Sequence, residues 1–243
     1  MESSIEKKAP PLDTGRTLVV MAKAPRPGMV KTRLTPSLSI EAATELYRCL
    51  LNDTMALARS LSDVEVAILC PAPDVEELRR FARSAVEVVP QKGEGLAAGL
   101  TSVFARFTAR GRQRVVAFNS DSPHLPVSIL EGAFEALSAH DVVVGPTHDG
   151  GYYLVGANAV HPALFDRDGM GTKSALDALL ASARGLQLSV GFTDPFYDID
   201  VEGDLTRLAA ELRLAPVRAP RTALWLEQCG EAVAQLRAGT EER

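Results

Sequence analysis

Short apolar runs alternate with longer amphipathic segments along most of the chain. The apolar runs are typical of buried strands, and they lie at 17–22, 64–70, 86–90, 114–119, 141–146, 152–156 and 186–192. Between them, apolar residues recur at helical spacing, and the predicted helices span 39–61, 74–84, 93–110, 127–140, 172–184, 202–214 and 220–239. Strands that alternate with helices predict an α/β fold with a doubly wound, mostly parallel sheet.

The turn at 148–151 leaves only a few residues between the fifth and sixth strands. So short a connection joins antiparallel strands, and we therefore expect a mixed sheet. The rest of the pattern indicates a mobile tail over 1–15, one α/β domain over 16–214 and a C-terminal helix over 215–243. We expect the apolar face of that helix, which includes Trp225, to pack on the domain. A homodimer contact through the same face is the alternative.

Composition mainly excludes classes of function. The net charge of −5 and the lack of a basic stripe argue against a nucleic-acid partner. No apolar run approaches the ~18 residues of a membrane span, and residues 1–15 do not form a signal peptide, so we expect no membrane partner. Three cysteines without CxxC spacing predict reduced thiols in a cytoplasmic protein. The four scattered histidines argue against a zinc site.

Positive charge is concentrated in the segment after the first strand, where Lys23, Arg26, Lys31 and Arg33 lie within eleven positions. A loop at the carboxyl end of that strand faces the ligand crevice of such a sheet. Arg and Lys side chains there bind phosphate oxygens and stabilise the charge of a transferring phosphoryl group. The Walker A pattern is absent. A solvated basic loop is the alternative interpretation.

Two acidic turns also follow predicted strands. Asp121 comes after the fourth strand, while Asp198 and Asp200 follow the seventh and point the same way in extended backbone. A Mg²⁺ site commonly uses one or two carboxylates with phosphate oxygens and water, so Asp121 with Asp200 or Asp198 predicts a metal site. The alternative for Asp121 is an Asx turn or helix cap. We interpret Glu202 and Asp204 as residues that stabilise the start of the following helix.

A third polar turn lies at 145–153. It is either a hairpin turn of the Asp-Gly kind or a backbone floor against a ligand, with Asp149 as acceptor or general base. Residues 169–174 form either an anion nest at a helix start or a plain loop with an N-cap. We interpret His124 and His148 as hydrogen-bonded turn residues without a chemical role.

Five segments together resemble a known family. They are KAPRPG at 23–28, VKTRL at 30–34, NSDSPHLP at 119–126, GPTHDGGYY at 145–153 and DID at 198–200. In this order they are similar to the bacterial "transferase 1, radical-SAM/selenodomain-associated" family, over about residues 17–214. That family has the GT-A, nucleotide-diphospho-sugar transferase fold. It is also similar to the 2-phospholactate guanylyltransferases, which carry a Lys-Thr/Ser-Arg-Leu element after the first strand.

The resemblance implies a three-layer sandwich with a mostly parallel mixed sheet, and a metal-dependent transferase that uses a nucleotide. It implies Mg²⁺ or Mn²⁺ on Asp121 and Asp200, with Lys31, Arg33 and Asp149 as catalytic residues. The residues expected against the nucleotide are Ala22, Lys23, Pro27, Gly28, Lys31, Arg33, Gln91, Gly95, Leu96 and Asn119. Those expected against a small-molecule acceptor are Asp149, Gly150, Gly151 and Tyr152.

The segment 93–100 departs from the family pattern. Gly99 stands where the transferase family has an arginine, and Gly95-Leu96 is closer to the guanylyltransferase segment that lies against the base. We therefore expect nucleotidylyl transfer from an NTP to a small phosphorylated acceptor, with release of pyrophosphate. A glycosyltransferase that uses a nucleotide-diphospho-sugar is the alternative. A nucleotide-binding regulatory module without turnover is a third hypothesis.

Overall fold

The computed structural model describes residues 15–82, 86–166 and 174–238, and side chains as far as residue 229. Its described strands are β1 (Arg16–Met21), β2 (Glu65–Cys70), β3 (Glu87–Pro90), β4 (Arg114–Asn119), β5 (Val142–Pro146), β6 (Tyr152–Ala157) and β7 (Val190–Phe192). The described α-helices are α1 (Ile40–Ser60), α2 (Val75–Leu78), α3 (Gly95–Thr108), α4 (Val127–Ala136), α5 (Ala175–Gly185), α6 (Glu202–Leu214) and α7 (Pro220–Ala238).

All the described strands belong to one sheet, in the order β3-β2-β1-β4-β6-β5-β7. β6 is antiparallel to both of its neighbours, β4 and β5, while the other pairs are parallel. The mixed, mostly parallel sheet that the sequence predicts is therefore confirmed. The short turn explains the antiparallel β5–β6 pair, and the insertion of β6 next to β4 reverses the direction of a second pair.

Two apolar layers cover the two faces of the sheet because side chains alternate along each strand. Leu18 and Val20 of β1 pack with residues of α1, α2 and α4 on one face. Val19 packs with residues of α3 and α5 on the other face. The result is the three-layer α/β sandwich expected from the alternating pattern.

The last helix packs outside these layers, against α1 and α6. Trp225 of α7 is buried with Leu50 of α1 and Leu208 of α6. At the start of α7, the buried carboxylate of Asp53 accepts hydrogen bonds from the amide and hydroxyl of Thr222, both at 2.8 Å. Among the described helices, none combines the length and apolar character that a membrane crossing requires.

Several predicted elements are shorter than expected, and the second helix and the seventh strand lose the largest share of their length. The second helix was expected to span 74–84, but α2 ends at Leu78 and the following residues form turns. The seventh strand was expected from residue 186, but β7 begins at Val190. Gln187 adopts a left-handed backbone conformation with φ 57°, which turns the chain away from α5 before it can pair with β5.

One buried histidine makes the stability of the fold depend on pH. His124 lies after β4, fully buried, with its ring 4.8 Å from the ring centroids of both Phe196 and Tyr197. Neither of its ring nitrogens forms a hydrogen bond within the described structure. Burial lowers the pKa of His124 to about 4, against a smaller opposing effect of the Glu211 carboxylate. Its charged form is therefore disfavoured in the folded state.

We predict that His124 makes the protein less stable below neutral pH. The unfolded imidazole takes up a proton near pH 6.5, whereas the folded one does so only near pH 4. The stabilising contribution is thus complete about one pH unit above 6.5 and is lost as the pH falls, by about 1.6 kcal/mol between pH 6.5 and 5. Urea unfolding of wild type and His124→Leu at these pH values measures it. An equal decline in both proteins would contradict the assignment.

Candidate functional site

A cleft of about 610 Å³ opens at the carboxyl ends of β1, β2 and β4. This is the end of an open α/β sheet at which ligands bind. The residues that line it are Met21, Ala22, Lys23, Met29, Val30, Lys31, Thr32, Arg33, Tyr47, Leu69, Cys70, Pro71, Gln91, Gly95, Leu96, Gly99, Ser120, Asp121 and Asp200. Much of the predicted nucleotide and metal site is therefore brought to one cleft.

Lys31 lies at the centre of the charged wall of this cleft. Its Nζ is 3.0 Å from Asp121 Oδ1 and 3.3 Å from Asp200 Oδ1, and it donates a 2.6 Å hydrogen bond to the carbonyl oxygen of Ile199. The side chain is only 4% exposed. Burial lowers the pKa of Lys31, but the charges of the two carboxylates outweigh it and raise the pKa above its ordinary value. The lysine is therefore a buried, fully charged cation.

Backbone contacts bring the two acidic turns together. The amide of Ile199 donates to the carbonyl oxygen of Asp121 at 3.2 Å, and the hydroxyl of Ser122 donates to the carbonyl oxygen of Tyr197 at 2.8 Å. Further back, residue 196 forms a parallel bridge with residue 147 at the end of β5. The chain after β7 thus crosses to the end of β4, where it places Asp200 beside Asp121.

The carboxylates have the character of an oxygen-ligand site. Asp121 Oδ1 is buried, and its 3.0 Å contact with Lys31 Nζ is an ion pair. Burial and then the charges of Asp200 and Asp121 raise the pKa of Asp198 to about 6. Within the described residues no three His, Cys, Asp or Glu side chains are grouped to hold a metal. Two carboxylates fit Mg²⁺ or Mn²⁺ when phosphate oxygens and water complete the shell.

The basic loop divides between the cleft and the protein surface. Lys23, Lys31 and Arg33 line the cleft, and Arg33 Nη1 lies 3.1 Å from Asp200 Oδ2. The expectation that Arg26 faces the cleft is wrong. Its guanidinium instead pairs with Asp74 at 2.8 Å and Glu77 at 3.0 Å, because the chain around α2 offers carboxylates on the outer side of the loop.

Asp74 holds this loop in place. Its Oδ2 accepts a 2.9 Å hydrogen bond from the buried amide of Ala24, and its Oδ1 accepts the bond from Arg26. Pro27 and Gly28, expected against the nucleotide, are not among the lining residues. Gly28 has φ 73°, so its role in the described structure is to turn the loop.

The opposite wall is the start of α3. Gln91 Nε2 donates to the carbonyl oxygens of Gly93 at 3.0 Å and Gly95 at 2.9 Å, which fixes the loop before the helix. Gly95 and Leu96 then line the cleft, as expected. A side chain at Gly99 would begin 3.0 Å from Gln91 Oε1. The glutamine therefore occupies the space next to the position where the related family has an arginine.

One residue that fixes the site, Tyr47, was not predicted. It lies on the buried face of α1, and its hydroxyl accepts a 3.1 Å hydrogen bond from the amide of Lys23 and bonds Ser120 Oγ at 3.0 Å. Burial raises its pKa, so the phenol stays neutral. The helical spacing of Tyr47 marks it only as a core residue. Asn119 was expected against the nucleotide but is not among the lining residues. Its Oδ1 accepts a 3.2 Å hydrogen bond from the Asp121 amide and so shapes the turn.

The β5–β6 turn does not reach the cleft walls. Asp149 Oδ1 accepts hydrogen bonds from Thr147 Oγ1 at 2.6 Å and from the Gly151 amide at 3.3 Å. None of the expected acceptor-binding residues, 149–152, is among the lining residues described above. The predicted anion nest at 169–174 lies outside the described residues except for Ser174.

Comparisons with known proteins agree with the fold. A family model described as "Uncharacterized protein conserved in bacteria (DUF2064)" matches residues 54–172. A search of curated proteins returned no match. A crystal structure of a "putative nucleotide-diphospho-sugar transferase" from Desulfovibrio desulfuricans G20 superposes with a TM-score of 0.84 at 25% identity, covering 91% of this chain and 97% of the other.

Two further structures are more distant. Rv0371c from Mycobacterium tuberculosis H37Rv, solved as a complex with manganese, matches with a TM-score of 0.52 at 21% identity, over 79% of this chain and 96% of its own. The 4-diphosphocytidyl-2C-methyl-D-erythritol synthase from Anaerococcus prevotii matches with a TM-score of 0.55 at 10% identity, over 83% and 98%. The expected fold of nucleotide-diphospho-sugar transferases is therefore confirmed, while membership of the selenodomain-associated family stays a prediction.

We predict that Asp74→Ala loosens the cleft by releasing its basic loop. The substitution leaves the buried Ala24 amide without an acceptor, so the free energy of unfolding should fall by about 2–3 kcal/mol in chemical denaturation. Glu76→Ala is the matched control, because Glu76 is exposed and pairs only with Arg79 among the described contacts. It should change stability by no more than about 0.5 kcal/mol. Equal losses in the two variants would refute the anchor.

Proposed function

We propose that the protein is a divalent-metal-dependent nucleotidyltransferase, which moves a nucleotidylyl group from an NTP to a small phosphorylated acceptor and releases pyrophosphate. One observation carries the proposal. Lys23, Lys31 and Arg33 meet the Asp121 and Asp200 carboxylates in one cleft at the carboxyl end of the sheet. This combination suits a triphosphate, because its negative charge is neutralised both by basic side chains and by a metal ion that the carboxylates hold. The likeness of the fold to nucleotide-using transferases supports this proposal.

The residues of the cleft have separable roles in this reaction. Asp121 and Asp200 would hold Mg²⁺ or Mn²⁺, which neutralises phosphate charge when bound. Lys31 and Arg33 stabilise the charge that develops on the α-phosphoryl oxygens and on the leaving pyrophosphate. Lys23, at the carboxyl end of β1, adds a third positive charge.

The wall of the cleft at the start of α3 would bind the nucleobase. Gly95 and Leu96 present backbone and an apolar side chain at the start of α3, and Gln91 adds a fixed amide beside them. An apolar side chain beside backbone atoms and one amide suits a nucleobase, which stacks on one face and hydrogen-bonds at its edge. The nucleotide would thus span the cleft from α3 to the loop after β1.

The composition of the cleft favours a phosphorylated acceptor. Its described lining holds no histidine and no carboxylate other than Asp121 and Asp200. An acceptor hydroxyl would need a general base, whereas a phosphate acceptor, with its second pKa near ~6, is already ionised at neutral pH. Nucleotidylyl transfer to a phosphate therefore requires no general base, and the described cleft residues are sufficient for it.

Glycosyl transfer from a nucleotide-diphospho-sugar is the second candidate. The Desulfovibrio structure with the same fold, described as a "putative nucleotide-diphospho-sugar transferase", favours it. In that reaction Asp149 would be the base for the acceptor hydroxyl, and it would have to give up its bonds to Thr147 and Gly151.

We predict acceptor-dependent pyrophosphate release when the protein is incubated with Mg²⁺, each NTP and pooled phosphorylated metabolites. Asp121→Asn should lower the rate by about 10²–10³-fold, because the carboxylate charge that faces the phosphates is lost. Glu45→Gln, which alters an exposed ion pair on α1, is the control and should retain the wild-type rate. Turnover of sugar nucleotides without pyrophosphate from any NTP would overturn the proposed reaction.

Asp149→Asn separates the two candidates. Under nucleotidylyl transfer we expect less than about a fivefold change in rate, since Asp149 is bonded within its own turn and no base is required. Under glycosyl transfer the rate should fall by about 10²–10⁴-fold with intact donor binding. Steady-state rates and donor affinity, measured by calorimetry on the same variant, distinguish these outcomes.

A further inference from the structure

We propose that the Lys31 ammonium is a built-in substitute for the divalent cation. In this view the ammonium and the metal compete for the Asp121 and Asp200 carboxylates, and metal binding displaces Lys31 toward the phosphates. The inference rests on the proposed function for its choice of ion. Its tests measure ion binding and lysine accessibility instead of turnover, so the two proposals can fail separately.

The geometry places one cation between two anions. Lys31 Nζ lies 3.0 Å from Asp121 Oδ1 and 3.3 Å from Asp200 Oδ1, so the ammonium neutralises the two carboxylates that would hold the metal ion. Both contacts are ion pairs of a positively charged ammonium. A second cation can therefore replace the ammonium and still neutralise the two carboxylates.

The same oxygens cannot serve both cations at these distances. Mg²⁺ binds carboxylate oxygens at about 2.0–2.1 Å, and Lys31 Nζ lies within 3.3 Å of an oxygen of each carboxylate. A divalent ion held by Asp121 and Asp200 would therefore crowd the ammonium. Repulsion between a divalent ion and an ammonium at such a separation is strong, particularly in a partly buried site. Lys31 must therefore move when the metal binds.

The Lys31 side chain can move into the cleft, because Lys31 is one of the residues that line it. Lys31 belongs to the loop after β1, where its backbone is left-handed with φ 49°. The hydrogen bond to the Ile199 carbonyl oxygen is the one described contact of its ammonium with a neutral group. A bound triphosphate would offer the displaced ammonium a new anionic partner. Metal and nucleotide would then each favour the binding of the other.

The first experiment is a Mn²⁺ titration followed by electron paramagnetic resonance of the free ion. Lys31→Met should bind Mn²⁺ on the order of tenfold more tightly than wild type, because the competing cation is gone. Lys23→Met removes a positive charge from the same cleft, but Lys23 has no described carboxylate partner, so its Mn²⁺ affinity should change by less than about threefold. Unchanged or weaker binding by Lys31→Met, or no binding by either protein, would overturn the inference.

The second experiment uses the unaltered protein and so does not depend on how a variant folds. Acetylation by an N-hydroxysuccinimide ester, read by mass spectrometry, reports how accessible each lysine is. Lys31 should react slowly alone and several-fold faster at a Mn²⁺ concentration that saturates the resonance signal, whereas Lys92 should react equally in both conditions. A Lys31 rate that stays constant or falls with Mn²⁺ would show that metal and ammonium do not exchange. Exchange without pyrophosphate release from any NTP would overturn only the proposed reaction.

Discussion

The charged contact between Lys31 and the two aspartates is the constraint on which the rest of the site depends. It joins three parts of the chain that are distant in sequence: the loop after β1, the turn after β4 and the segment after β7. A buried ammonium is costly without anionic partners, and two adjacent carboxylates are costly without a cation. Each part therefore stabilises the placement of the other, and together they form a site in which positive and negative charges lie side by side.

The surrounding structure holds these parts still with hydrogen bonds from the core. Tyr47 reaches from α1 to the Lys23 amide and to Ser120, so the central helix contacts both the basic loop and the acidic turn. Asp74 fixes the outer side of the same loop through the Ala24 amide. Because these partners lie on packed helices and strand ends, they fix the geometry of the cleft, and a preformed site lowers the entropic cost of binding a ligand.

The direction of β6 decides which chemistry can reach the cleft. Since β6 runs antiparallel between β4 and β5, the β5–β6 turn lies at the carboxyl end of β5, yet its Asp149 bonds within the turn itself. The chain after β7 crosses to β4 by way of residues 196–199, and it supplies Asp200 to the cleft. The cleft therefore gains a second carboxylate beside Asp121, and its described lining holds no third one.

Much of the fold followed from local pattern. Alternating apolar runs and helical spacing determined the strands, the helices and the mixed sheet, because burial on a sheet face or a helix stripe depends on side-chain periodicity. The same pattern could not distinguish Tyr47 from an ordinary core residue, and it could not show that Gln187 would shorten β7. The acids and bases of the site were recognisable as types that suit phosphate and metal chemistry. Which basic residue would pair with which carboxylate was not recognisable, since Arg26 and Lys31 have equal charge and lie five positions apart.

The sequence by itself determined which residues could carry the chemistry and which end of the sheet they would share. Only the tertiary structure decided their partners. Arg26 turns outward because Asp74 and Glu77 lie on that side, and Lys31 turns inward because Asp121 and Asp200 meet there. The physical reason is that the energy of a charge depends on the distance to its partners and on their shared burial. Both quantities are set by strands and loops that come together only when the chain folds.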